Sequence, residues 1–167
     1  TDNTDDVESK VISQARKEFD QGELDHHNRR FEKALKHYKK ARELDPENNR
    51  YLFKVAASYH NTGQIKDAVD SYTELIGRLE GKPFEERLVH AIAFKGGNLA
   101  ILKRFEEAEA LIDRALEMDS VSVVGLAMKG ELLIELGRQS EAREYIQHAI
   151  EIEPDNKIAL ALKKRAE

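Results

Sequence analysis

Apolar residues recur along this chain at helical spacing, in a block that occurs four times. The block is clearest over residues 30–49, RFEKALKHYKKARELDPENN, where an alanine is followed four residues later by a ring or branched apolar residue and seven residues later by a small or apolar one. The four sets are Ala34, Tyr38 and Ala41; Ala68, Tyr72 and Leu75; Ala108, Ile112 and Ala115; and Ala142, Ile146 and Ala149. Their alanines lie 34, 40 and 34 residues apart. A period in the mid-thirties built from helical patterns predicts stacked helix pairs.

The apolar spacing and its breakers predict helices throughout and no strand. The helices are expected at about residues 7–27, 30–44, 49–61, 64–79, 84–102, 105–117, 121–136, 139–151 and 156–166. Asp6 is the predicted N-cap of the first helix, after an acidic segment. The one long spacing carries six extra residues, which we place in a longer helix and the breaker at residues 80–83. Pro83 would open the next helix, where its missing N–H costs nothing.

This organisation predicts an all-α protein with a disordered acidic tail, residues 1–6, and a single domain, residues 7–167. The domain would contain four helix-pair repeats, at about residues 15–48, 49–83, 84–122 and 123–156. The final helix, residues 156–166, would cap the open apolar end of the stack, as a terminal unit must.

Three recurring features make this pattern similar to the tetratricopeptide repeat (TPR), a helix–turn–helix of about 34 residues. Small residues stand where the two helices of each repeat would cross, at Gly22, Ala56, Gly96 and Gly130. Aromatic or apolar residues begin three of the second helices, at Phe31, Ile65 and Phe105. Prolines end two of the repeats, at Pro46 and Pro154. The chain departs from the family pattern at Gln139 and Ser120. The resemblance implies a right-handed superhelix (solenoid) of antiparallel helix pairs.

The resemblance also implies a concave groove, lined by the first helix of each pair, that binds a partner's peptide or helix. Carried over to this chain, the predicted groove consists of Phe19, Glu23, His26, His27, Arg50, Phe53, Ala57, His60, Asn61, His90, Ala93, Gly97, Ala127, Glu131 and Ile134. Phe19 and Phe53 are the expected anchors for an amphipathic helix or an extended apolar segment. The alternative is that the small residues among them serve only to let neighbouring first helices pack.

One subtype of the family holds a C-terminal carboxylate with lysine, asparagine and arginine at fixed groove positions. The corresponding positions here hold Phe19, Glu23, Ala57, His90 and Phe94. We therefore do not expect this chain to bind chaperone tails in that way.

Charge is unevenly spread along the chain. The formal net charge is −5, which argues mildly against a dedicated nucleic-acid binder. Residues 29–42 nevertheless carry seven lysines and arginines against one acid, whereas residues 105–119 hold six acids and one arginine. A charge run of this kind is usually a solvated helix face. A docking patch and nucleic-acid contact are the two alternatives.

No pattern of catalytic or metal-binding residues stands out. The chain has no cysteine and no phosphate-binding or nucleophile motif. Gly96 and Gly97 fall inside a helical pattern, where they indicate close packing. Four of the six histidines occupy groove positions, but none pairs with another at ligand spacing on a helix. We therefore expect no enzyme activity, no cofactor and no metal.

The predicted function is a non-catalytic protein–protein interaction module. A self-assembling scaffold is the first alternative, and a nucleic-acid-binding module using residues 29–42 is the second. No apolar run is long enough for a membrane span. We expect a soluble protein, cytoplasmic or periplasmic. Because the chain starts at Thr1 and stops at Glu167 inside a helical pattern, we expect a piece of a longer protein.

Overall fold

The computed structural model of the chain describes residues 2–83 and 86–167. Within these ranges the chain forms α-helices and no strand, which confirms the predicted all-α helical repeat. The helices are α1 (Asp2–His27), α2 (Phe31–Leu44), α3 (Asn49–Asn61), α4 (Ile65–Leu79), α5 (Glu86–Ile101), α6 (Phe105–Met118), α7 (Val123–Glu135), α8 (Gln139–Ile152) and α9 (Lys157–Ala166).

The start of α1 differs from the prediction. The helix begins at Asp2, so the expected disordered tail and the cap at Asp6 are wrong for residues 2–6. Residues 3–14 are all exposed, and packing therefore does not account for this extension. Acidic residues near a helix N-terminus interact favourably with the helix dipole. Lys10 and Asp6 add an ion pair of 2.8 Å one turn apart.

The six extra residues are spread over three places. Helix α4 has 15 residues where α2, α6 and α8 have 14, and α5 has 16 where α3 and α7 have 13. The remaining two fall among residues 80–85, between the described parts of α4 and α5. Pro83 stands in a turn, and α5 is described from Glu86 onwards. The predicted start of this helix at Phe84 lies outside the described residues.

The two helices of each pair are connected by the same type of turn. One residue in each turn has a positive φ, and these residues are Arg29, Gly63, Lys103 and Gly137. The amide of the next residue then donates to a carbonyl five positions back, as from Arg30 to Asp25 at 2.8 Å and from Arg104 to Leu99 at 2.9 Å. This is the 6→1 bond of a Schellman-type helix end, which needs a left-handed residue. The left-handed residue is a glycine at positions 63 and 137 only, so the sequence indicates the turn at these two positions and not at the other two.

The repeated apolar pattern forms the core. None of its twelve residues is more than 1 % exposed, which confirms the helical register predicted from the spacing. The crossing glycines of three first helices lie against the ring or branched residues of the second helices. A Cβ added to Gly22 would lie 2.8 Å from the Tyr38 ring, and one added to Gly96 would lie 2.6 Å from Ile112 Cγ1.

The described residues group into two compact units, residues 1–75 and 76–167. In the first, α1 packs on α2 and α2 on α3, around a cluster that contains Phe19, Tyr38, Tyr51 and Val55. In the second, α5 packs on α6 and α7, and α7 packs on α8 and α9. The expectation of a single domain over residues 7–167 stays a prediction.

Candidate functional site

Helix α3 carries a row of groove residues on one side. Arg50, Phe53, Ala57 and His60 follow one another at spacings of three, four and three residues, so that they share one face of the helix. Arg50 and His60 are exposed, and Phe53 and Ala57 are partly exposed. We call these four residues the α3 stripe. Leu52, Val55 and Ala56 lie on the other side of the helix and are at most 1 % exposed.

Glu23 of α1 joins two cations and a tyrosine beside this stripe. Its carboxylate accepts a hydrogen bond from the Tyr38 hydroxyl and pairs with Lys54 Nζ of α3 at 2.8 Å. Burial raises the pKa of Glu23, but the hydrogen bonds from Lys54 and Tyr38 and the charges of Lys54 and Arg50 outweigh it, so the pKa is lowered overall. The carboxylate stays ionised and keeps Lys54 in place at the edge of the stripe.

Phe19 does not lie open in a groove, which corrects its predicted role as an anchor. Its side chain is only 3 % exposed. The ring stacks on Tyr51 with a centroid distance of 5.0 Å and lies 5.6 Å from Tyr38. The Arg50 guanidinium covers it at 4.6 Å. Phe19 is therefore part of the core of the first unit, because Tyr51 and Arg50, from the next helix pair, close over it.

The predicted groove imidazoles of the first unit lie at the ends of α1 and α3. His26, His27, His60 and Asn61 are all exposed. Asn61 Nδ2 lies 3.4 Å from His26 Nε2, and the His26 ring lies 5.4 Å from that of Phe31. The first of these contacts joins the C-terminal ends of α1 and α3 at the edge of the predicted groove.

In the second unit most of the predicted groove residues are buried. Ala93 and Ala127 are 0 % exposed. Gly97 is also buried, and a Cβ added to it would collide with Met128 Sδ. For these three residues the alternative given from the sequence applies, because their small size lets neighbouring helices pack closely and they do not line an open groove. His90 and Ile134 remain partly exposed, and His90 lies 3.8 Å from Glu86.

Glu131 is buried and already has a partner. Its carboxylate is 7 % exposed and accepts two hydrogen bonds from Arg165 Nη1, at 2.7 and 2.8 Å. Glu135, one turn further along α7, accepts from Arg165 Nη2 at 2.9 Å and also pairs with Lys103. The sequence indicated none of these pairs, because Arg165 and Lys103 are more than 25 positions away from the acids they bind. Glu131 is therefore not open to a partner molecule.

The described parts of the chain hold neither a metal-binding cluster nor a membrane-spanning helix. No group of three or more His, Asp and Glu side chains there is arranged to hold a metal ion. No helix in the same ranges is both long enough and apolar enough to cross a membrane.

Comparison with known proteins gives one recurring match. Family models described as tetratricopeptide repeat match residues 15–48, 51–74 and 125–156, which together make up slightly more than half of the chain. The unmatched stretch between them contains the long spacing at residues 80–85.

Several solved structures are similar in fold. A thermophilic TPR protein from Thermus thermophilus is 17 % identical, with a TM-score of 0.73 over 90 % of this chain and 80 % of its own. YrrB, a TPR protein with an unusual peptide-binding site, is 21 % identical, with a TM-score of 0.62 over 91 % of this chain and 75 % of its own. The first TPR of Spaghetti (RPAP3), bound to the HSP90 peptide SRMEEVD, is 20 % identical, with a TM-score of 0.52 over 73 % of this chain and 92 % of its own.

Proposed function

We propose a protein-binding role for this chain, which belongs to the tetratricopeptide repeat family. In this proposal it is a non-catalytic interaction module, and the α3 stripe of the first unit holds a peptide or helix of a partner protein. Two structural relatives support the choice of ligand, since YrrB has a peptide-binding site and the Spaghetti domain is bound to a peptide.

The α3 stripe is the observation that carries the proposal. It combines a partly exposed aromatic ring, Phe53, with a small residue one turn away, Ala57, and a cation at one end, Arg50. The Phe53 ring is held edge-on against Tyr72, with a centroid distance of 5.9 Å and an interplanar angle of 78°. An aromatic side chain fixed in this way offers apolar contact at little cost in side-chain entropy.

The stripe also favours a class of ligand. Arg50 and Lys54 lie at one end, and the carboxylate of Glu23 lies beside them. An amphipathic peptide would place an apolar side chain between Phe53 and Ala57 and an acidic one near Arg50. The carboxylate-clamp residues of the chaperone-binding subtype are absent from the sequence, so recognition would not depend on a free C-terminus.

Phe53→Ala tests the site. Peptides would first be selected from a random display library against the wild-type chain, and their affinities would then be measured for the variants by calorimetry. Removing the ring should weaken binding by about tenfold, or about 1.4 kcal/mol, since a central aromatic residue often carries much of the binding energy of an interface. The melting temperature of each variant would be measured in parallel.

Leu24→Ala is the matched control. Leu24 lies on α1 in the same unit and is 51 % exposed, so the change removes a similar apolar side chain outside the stripe. Its affinity should stay within about twofold of the wild type. Peptides that bind a folded Phe53→Ala variant as tightly as the wild type would contradict the proposed site.

The other roles predicted from the sequence, self-assembly and nucleic-acid binding, stay predictions. A molecular mass that rises with concentration in sedimentation equilibrium would indicate self-assembly. Binding to oligonucleotides that falls steeply with salt would indicate the nucleic-acid role.

A further inference from the structure

A cavity opens between α2 and α3, on the side of α3 opposite to the α3 stripe. Its volume is about 330 Å³, and it is lined by Lys39, Arg42, Glu43, Pro46, Val55 and Tyr59. Val55 and Tyr59 each lie two positions from a residue of the stripe, which turns them through about 200° around the helix axis. The cavity and the stripe are therefore separate surfaces of the first unit.

The floor of the cavity is apolar, and its rim carries two cations and one carboxylate, Glu43. Tyr59 is partly buried and packs against the core of the unit, beside Val55 and Pro46. Lys39 Nζ lies 6.0 Å from the centroid of the Tyr59 ring, so the ammonium group and the ring face the same space. A cavity of this size lies at the small end of the range for ligand sites and can take one apolar side chain.

A row of lysines extends from this rim along α2. Lys33, Lys36, Lys39 and Lys40 are all exposed and fall within about 120° of the helix circumference. We call them the lysine stripe. Lys33, Lys36 and Lys39 make no ion pair with another described residue, whereas Lys40 lies 3.8 Å from Glu43. Arg42, the other cation at the cavity, is already engaged by Glu74 at 2.6 Å.

From these contacts we infer that the cavity and the lysine stripe form a second binding site, for an acidic peptide segment. One apolar side chain of the segment occupies the cavity beside Tyr59, and flanking glutamates or aspartates pair with Lys33, Lys36 and Lys39. The lysine stripe rises by about 10.5 Å along the helix from Lys33 to Lys40, and an extended peptide covers that length with about four residues.

The apolar floor favours a peptide over a nucleic acid. A polyanion would use the lysine stripe alone and would leave Tyr59 and Val55 without a partner. The net charge of the chain, −5, also opposes the approach of a long polyanion. A short peptide satisfies both the cationic rim and the apolar floor. The inference does not depend on the α3 stripe, because none of its residues lines the cavity.

The test uses a fluorescein-labelled peptide with one central phenylalanine flanked by glutamates, and fluorescence anisotropy as the readout. Lys39→Glu should weaken binding about fivefold to tenfold, because an attractive contact is lost and a repulsive one is added. Glu43→Gln should tighten binding about twofold, because it removes a carboxylate that lines the cavity. A peptide with glycine in place of phenylalanine should bind more weakly than the parent peptide.

Lys157→Glu is the matched control for charge. It changes the net charge by the same amount at an exposed position in the other unit, and an acid suits the first turn of α9. Its affinity should equal that of the wild type, and so should that of Phe53→Ala. Loss of binding in Phe53→Ala would instead assign the peptide to the α3 stripe and overturn the inference.

Three other results would also overturn it. The first is no binding of the peptide to the wild type at millimolar concentration. The second is an equal loss in Lys39→Glu and Lys157→Glu, which would indicate unspecific charge attraction. The third is displacement of the peptide by a single-stranded oligonucleotide that binds more tightly than the peptide does, which would make the lysine stripe a nucleic-acid contact.

Discussion

Three glycines set how closely the helices of a pair approach each other. Gly22, Gly96 and Gly130 each lie where a Cβ would come within 2.8 Å of a side chain on the second helix of their pair. At Gly96 the Ala108 carbonyl oxygen would also lie 3.2 Å from such a Cβ. That oxygen belongs to the backbone and cannot move away as a side chain can. Alanine at this position would therefore push α5 and α6 apart.

Gly96→Ala should lower the free energy of unfolding by about 1–3 kcal/mol, the usual cost of overpacking a well-filled contact. Gly77→Ala is the matched control, because a Cβ at Gly77 meets nothing within 4 Å. Alanine in that exposed part of a helix should instead raise the stability by about 0.5–1 kcal/mol. Urea denaturation of both variants measures the difference, and equal effects would show that the close contact at Gly96 is unimportant.

Asp25 is a buried carboxylate that holds the first turn. Its side chain is 3 % exposed, accepts from Arg30 Nε at 2.8 Å, and lies 3.5 Å from Gln21 Nε2 and from His37 Nε2. Burial raises its pKa, but the hydrogen bonds from Arg30 and Gln21 and the charges of Arg30 and His37 outweigh that effect. The pKa of Asp25 is therefore lowered from the ordinary value of 3.8.

This lowered pKa predicts a loss of stability in acid. The ionised form is favoured by folding, so its contribution is complete above the unfolded pKa of about 3.8 and disappears as the pH falls through the lower folded pKa. Asp25→Asn should be less stable than the wild type at neutral pH, and the difference should narrow below pH 3.8. Chemical denaturation across the acid range measures this. Asp20→Asn, at an exposed site on the same helix, is the matched control and should be about as stable as the wild type at neutral pH.

At the scale of a helix, α9 is attached by a few specific contacts. Ala159, Leu162 and Ala166 are buried against the second unit. Arg165 reaches Glu131 and Glu135 of α7, and Arg143 of α8 donates to the Ala166 carbonyl at 2.8 Å. A helix of 10 residues is too short to be stable by itself in water. Its attachment to α7 and α8 is therefore what keeps it folded.

Arg165→Ala should loosen α9 and destabilise the second unit by about 1–3 kcal/mol, because it leaves the buried carboxylate of Glu131 without its cation. The cost stays below that of a fully buried pair, since the Arg165 side chain is 46 % exposed and water screens it. Hydrogen exchange should rise first at the amides of α9. Lys164→Ala, its exposed neighbour, should change neither exchange nor stability.

A second variant distinguishes two causes of the instability of Arg165→Ala, namely the unpaired charge of Glu131 and the loss of the packing of the Arg165 side chain. The double change Glu131→Leu with Arg165→Leu removes both charges, so it should recover most of the stability lost in Arg165→Ala. A double variant as unstable as Arg165→Ala would show that the buried charge is not the cause.

At the scale of the whole molecule, the repeated packing and the proposed binding surfaces are made by different residues. The core sets recur at spacings of 34, 40 and 34 residues, and the turns and the small crossing residues recur with them. The α3 stripe and the lysine stripe each lie in one unit only. The family fold thus specifies the shape of the helix pairs, while both proposed binding sites depend on side chains that do not repeat.

Most of the fold could be predicted from the sequence, because helices are specified by local interactions. Apolar residues three and four positions apart, and breakers such as Gly63 and Asp45-Pro46, act within one or two turns. The predicted bounds of α3 therefore agree with the structure at both ends. The start of α1 was missed, because an acidic first turn and a single ion pair decide it and apolar spacing does not report on them.

The availability of each groove residue was decided only by the tertiary structure. Phe19 and Phe53 have the same chemistry and equivalent positions in their helices, yet Tyr51 and Arg50 cover Phe19, whereas Phe53 stays partly exposed. The Met128 side chain covers Gly97, and Glu131 forms an ion pair with Arg165, 34 residues away. Local pattern specifies which way a side chain points from its helix. Whether a distant segment then covers it depends on how the helices pack, which no local pattern records.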